Sequence, residues 1–184
     1  LFGLQHSVMA RPSFKAVITK VIPNQLERAT YVLATALVII PLVQFWQPMV
    51  DQSVWIVTDP VTRTIITVIY FAGYAITTAA TYMLNHNHLF GLQQAFDIGS
   101  IDKEFRTPLF YKYVRHPIQT GVLIAMIATP DMTYGRALLA VGMIAYIFIG
   151  LYFEEKGLIA EFGDTYREYR SRVSALIPNP FKTL

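Results

Sequence analysis

The 184-residue chain contains no cysteine. That excludes a disulfide framework, a zinc ribbon and a cysteine nucleophile, and leaves the compartment open. Charge is scarce as well: 15% of residues are charged, against about 25% in a soluble domain. Acids are the fewest, 12 beside 15 Lys and Arg. The net charge of +3 would suit nucleic acid only if the basic residues formed a stripe interleaved with aromatics. They sit instead between apolar runs, as membrane flanks do, so no nucleic acid is expected as a partner. No cleavable signal peptide is evident, and the opening LFGLQHS reads as the exit of an apolar helix that begins upstream.

What the chain has in quantity is apolar surface, 54% of its residues. A spanning helix needs roughly 20 such residues. Spans are expected over about 30–46, 65–84, 117–130 and 136–153. Pro41 is tolerable inside the first, and the small residues Ala72, Gly73, Ala75, Ala79 and Ala80 suit close helix packing in the second. The last two form a hairpin whose first arm is too short to cross alone. Four Lys and Arg lie in 7–28, four in 85–118 and five in 153–184, leaving only Arg63 and Arg136 elsewhere. The positive-inside rule places those three segments in the cytoplasm. The expected fold is all-α, a polytopic transmembrane bundle in one domain, with a C-terminal helical hairpin and any chemistry facing the cytoplasm.

Several constellations could carry that chemistry. Arg115-His116-Pro117 stands where a basic segment meets an apolar run. Taken alone it reads most simply as a helix start, with Pro at the first position. A helix start also offers unpaired N–H groups to an anion, here beside a cation and an imidazole. Gly121, one turn on, would let a flat ligand approach the backbone. Beyond the hairpin comes EEKGLIAEFGDTYREY, with Glu154 and Glu155 at the end of a span and Tyr166 and Tyr169 sharing a face. An amphipathic surface helix explains that stretch equally well. His6 with Arg11, and Glu27-Arg28 with Tyr31, are weaker. His86 and His88 lack the third ligand a metal would need, and Trp46 and Trp55 read as an interfacial belt.

The combination is more specific than its parts. A short hairpin preceded by R-H-P-x-x-x-G and followed by E-E-x-x-L-x-x-x-F-G-x-x-Y-x-x-Y resembles the isoprenylcysteine carboxyl methyltransferase superfamily. These are integral membrane enzymes that use S-adenosylmethionine. The family usually places an aromatic two residues after the Pro, where this chain has Gln119. LFGLQHSVMARPSFK, ERATYVL and ATPDMTYG are similar to the bacterial methanethiol S-methyltransferase branch, over nearly the whole chain.

The resemblance implies a multi-pass protein of the bacterial inner membrane that methylates methanethiol to dimethyl sulfide at its cytoplasmic side, with S-adenosylmethionine as cofactor and no metal. Carried over by motif, Arg115, His116, Pro117 and Gly121 line one wall of the cofactor site, and Glu154, Glu155, Tyr166 and Tyr169 the other. Little of a small thiol is ionised at neutral pH, since even a protein thiol has a pKa near about 8.5. A base is therefore expected among His6, His116 and Glu155, with His6 favoured and Arg11 beside it. A tight aromatic pocket of Phe14, Tyr31 or Tyr111 would select the substrate, which can arrive from membrane lipid or from the cytosol. Two alternatives remain: a methyltransferase for a lipid or prenylated substrate, and a non-catalytic membrane protein associated with nitrogen-oxide respiration.

Overall fold

The computed structural model describes residues 1–97 and 105–181. Lys103 and Lys182, counted above among the cytoplasmic basic residues, lie outside the described residues. The chain divides into two compact units, Leu1–Gln47 with Leu84–Lys103, and Pro48–Met83 with Glu104–Leu184.

The first unit holds α1 (Phe2–Met9), α2 (Pro12–Ile18), α3 (Glu27–Gln44) and two single-turn helices, α5 (His86–Leu89) and α6 (Leu92–Ala95). A 3-10 turn at Asn24–Leu26 leads into α3, and together they form an apolar stretch of 21 residues. Helix α3 runs through Pro41, and α1 packs along it. Gly91 takes φ +80° between α5 and α6, where a Cβ would strike the backbone of Arg28 and Ala29. Only glycine allows the loop to lie this close to the start of α3.

The second unit holds α4 (Pro60–Met83), α7 (Pro117–Ile127), α8 (Tyr134–Phe162) and α9 (Asp164–Arg172). Helix α4 begins five residues ahead of the expected span, because Asp59 caps it. Its carboxylate accepts from the Thr62 N–H at 2.8 Å and the Thr62 hydroxyl at 2.6 Å, and Pro60 fills the first helical position. Helix α7 has 11 residues, about 16 Å of rise, which is part of a bilayer only. It lies against α4 at a glycine crossing: a Cβ on Gly73 would stand 2.7 Å from the Gly121 carbonyl oxygen and 2.8 Å from the Ala125 nitrogen. Helix α8 is longer than the expected 136–153. It continues through Glu154 and Glu155 until Gly163, at φ +57°, breaks the direction and α9 follows.

The observed architecture is mostly helical, with three helices long and apolar enough to cross a membrane among the described residues. Large apolar side chains line their outer faces, Leu33, Leu37 and Ile40 on α3, Ile65 and Phe71 on α4, Leu138 and Phe148 on α8. Such faces belong in lipid rather than water.

One element departs from the all-α expectation. Strands β1 (Ser53–Ile56) and β2 (Asp131–Thr133) pair antiparallel, Trp55 opposite Met132 and Ile56 opposite Asp131. The Trp55 indole donates to the Thr129 carbonyl at 2.9 Å, and Arg63 grips Asp131 through two hydrogen bonds of 2.7 and 2.8 Å. These runs are too short to show a period-two pattern in sequence. Trp55, read as interfacial, and Arg63 tie the ribbon and the α7–α8 turn to the start of α4.

Candidate active site

Within the second unit the residues before α7 and those after α9 run side by side. Val114 and Ser174 bridge in parallel. The Arg115 N–H donates to Ser174 at 2.8 Å and the His116 N–H to Ala175 at 3.0 Å. The Thr120 hydroxyl donates to the Leu176 carbonyl at 2.8 Å. This stitching aims Arg115 and His116 at the cytoplasm-proximal end of α8 expected from the charge distribution.

Glu155 is the centre of the cluster. Its Oε1 accepts from the Arg115 Nε at 2.7 Å and from a second guanidinium nitrogen of the same residue. The same oxygen lies 3.1 Å from His116 Nε2, and its Oε2 lies 3.1 Å from Arg170 Nε. Arg115 also donates to the carbonyls of Val173 and Arg170, the latter at 3.2 Å. A buried carboxylate is stable only when so compensated, and here three cationic or polarisable groups surround it. Glu154, by contrast, keeps 47% of its side chain exposed; its Oε2 stands 3.9 Å from His116 Nδ1 and accepts from the Gln119 amide at 3.3 Å. The departure from the usual aromatic thus places a donor on Glu154.

Arg115, His116, Glu154 and Glu155 come together as the sequence suggested, and Tyr166 joins them. Tyr166 is 1% exposed, yet its hydroxyl has no hydrogen-bond partner of ordinary geometry among the described residues. Burial, then the nearby Glu155 carboxylate, push its pKa up to about 12, with Arg115 opposing. Arg170 was not singled out in the sequence. Its signal was the spacing Tyr166, Tyr169, Arg170 along α9, which puts a cation beside the tyrosine face.

Other expected site residues are used differently. The Arg115 cation is largely spent on Glu155 and on two carbonyls, and the N–H groups of Arg115 and His116 are bonded to Ser174 and Ala175. That pairing fixes the segment just ahead of α7, which begins at Pro117. Gly121 does not open the backbone to a ligand: a Cβ there would lie 2.7 Å from the Thr77 nitrogen, so its bareness serves the contact with α4. Pro117 is fully buried in the same packing. Tyr169 donates to the Tyr111 carbonyl at 2.6 Å and packs with Phe105, and the Tyr111 hydroxyl reaches the Ala80 carbonyl at 3.5 Å. Burial raises both phenolic pKa values well above their ordinary range. Both tyrosines therefore brace the second unit.

In the first unit His6 Nε2 and the Tyr31 hydroxyl are 2.6 Å apart. The Arg28 guanidinium lies 5.5 Å from the centre of the Tyr31 ring, and its Nε donates to the Leu89 carbonyl at 2.9 Å. Burial, then the Arg28 charge, hold the His6 pKa below the ordinary 6.5. Arg11 is exposed at the start of α2, and Phe14 is half-buried on that helix.

The chain is 43% identical over 183 residues to a methanethiol S-methyltransferase of Pseudomonas deceptionensis, covering 97% of the chain and 70% of that protein. It is 45% identical to methanethiol S-methyltransferase 2 of Bradyrhizobium diazoefficiens, over 98% of the chain and 71% of the relative. A methanethiol S-methyltransferase of Mycobacterium tuberculosis is 40% identical, over 99% of the chain and 76% of its own length. No protein-family model and no solved structure matches the chain.

Proposed function

We propose how the site works from one premise: the chain belongs to the methanethiol S-methyltransferase family. It is a multi-pass protein of the bacterial inner membrane that transfers methyl from S-adenosylmethionine to methanethiol, giving dimethyl sulfide. The similarity over nearly the whole chain carries that reading of the reaction. The charge distribution of the sequence supports a site on the cytoplasmic side, where substrate can also partition in from lipid.

The donor set around Glu155 suits S-adenosylmethionine, whose amino acid end is zwitterionic and whose ribose carries two hydroxyls. The buried Tyr166 hydroxyl lies beside Arg115 and has capacity for a further polar partner. Beside it Arg170 keeps half its side chain exposed, as does Glu154. Arg170 would take the ligand carboxylate and Glu154 the ammonium or a ribose hydroxyl, through charge-assisted hydrogen bonds. Arg115, His116 and Glu155 hold those groups in place from behind. The cofactor supplies an electrophilic methyl group whose leaving group is a neutral thioether. The protein's part is to align sulfur with that methyl group, exclude water and remove the thiol proton. His6, kept neutral by burial and by Arg28, is the base.

Equilibrium binding of labelled S-adenosylmethionine to the purified protein tests the placement. Glu154→Gln and Arg170→Gln are each expected to weaken binding by about tenfold or more, the worth of one charge-assisted bond, and Glu154→Gln to do so without lowering the melting temperature. Wild-type affinity in both variants would put the cofactor elsewhere.

A further inference from the structure

We propose that a cleft in the first unit, lined by His6, Arg28, Tyr31, Val32, Thr35 and Leu89, is where the thiol is held, as its anion, with Arg28 as the counter-charge. The proposal rests on the reading above that the chain methylates a small thiol. The cleft, open on one side, has about 190 Å³, below the roughly 300 Å³ at which drug-sized ligand sites begin. Methanethiol has two heavy atoms and needs about 60 Å³, twice the share of a water. The space is ample for a thiol of a few atoms. Val32 and Leu89 give it apolar walls.

The polar groups are those a thiol needs in order to ionise. His6 Nε2 and the Tyr31 hydroxyl are 2.6 Å apart, and with neutral His6 protonated on Nδ1, Nε2 accepts from that hydroxyl. The S–H bond breaks as its proton passes to the Tyr31 oxygen, and the Tyr31 proton passes to His6 Nε2. Sulfur keeps the electron pair and is the nucleophile; as it bonds to the methyl carbon of a bound cofactor, the methyl–sulfonium bond would break, its electron pair leaving on a neutral thioether, and His6 later returns its proton to water. The thiolate so formed faces Arg28, whose guanidinium is fixed by the Leu89 carbonyl and the Tyr31 ring. Fixed, partly desolvated charge stabilises an anion without reorganising. The titratable groups brought to the cleft are His6 from α1 and Arg28 and Tyr31 from α3. Glu27 of α3 is held by Lys15 of α2 at 3.4 Å, and α5 carries His86 and His88 beside Leu89.

The test reads bound thiolate directly, by its ultraviolet absorbance, as methanethiol is titrated into cofactor-free protein across pH. Wild type is expected to bind thiolate below the solution pKa of the thiol. Arg28→Gln should lose that signal and move the pH of half-maximal turnover upward by about one unit, a loss of about tenfold on the acid limb. Arg28→Lys should restore most of both. Val32→Phe, which fills the cleft and spares the charges, should raise the KM for methanethiol and leave S-adenosylmethionine affinity unchanged. Equal thiolate binding and an equal pH profile in wild type and Arg28→Gln would overturn the proposal, as would normal turnover in Val32→Phe. Bound thiolate without any dimethyl sulfide would instead keep the cleft and defeat the functional reading, while turnover without bound thiolate would do the reverse.

Discussion

Glu155 and Glu154 are neighbours in sequence with opposite tasks, and helix geometry is the reason. Successive residues on a helix point about 100° apart, so α8 turns one carboxylate inward to Arg115, His116 and Arg170 and leaves the other at the surface. Removing the inward charge leaves cations without their partner, a loss of about 3 kcal/mol or more for a buried pair. Glu155→Gln should therefore melt several degrees lower in detergent and lose activity. A Glu155→Gln protein as stable as wild type would show that the cluster does not hold the site together. The Arg-His-Pro and Glu-Glu pairs were legible because charge inside an apolar context is costly and so stands out. Arg170 was not, since it lies in the polar run YREYRSR, where one more cation carries no signal.

Among the elements, the crossing of α4 and α7 depends on absent side chains. Gly73 and Gly121 let the two backbones touch, and any Cβ meets main-chain atoms that cannot rotate away. Gly121→Val is expected to destabilise by about 1–3 kcal/mol, the usual cost of overpacking, with a matching fall in melting temperature. An unchanged melting temperature would mean that the crossing is looser than the structure has it. Hydropathy alone located this hairpin, and it also located α3 and α4. It could not give the true length of α8, because a helix continues wherever hydrogen bonding permits and not where hydrophobicity ends. The Asp59 cap was readable in the motif Asp-Pro-Val-Thr, but it precedes the apolar run. The β1–β2 ribbon depends on residues about 75 apart in sequence, beyond any local pattern.

At the scale of the whole molecule, each of the two units carries exposed apolar helix faces and a compensated polar cluster, as expected of an enzyme that works in a membrane on a small, membrane-permeant thiol. Folding keeps the His6 pKa below 6.5. The unfolded chain therefore takes up a proton that the folded chain resists, and stability declines as pH falls below 6.5. The same sign governs catalysis, because a base works only when deprotonated. Assaying headspace dimethyl sulfide from purified protein given methyl-labelled S-adenosylmethionine and methanethiol, across pH, tests the central claim. The account predicts labelled dimethyl sulfide in step with cofactor consumed, an acid limb lying below pH 6.5, and loss of turnover in His6→Ala with cofactor binding kept. No labelled product from the wild-type protein at any pH would contradict it.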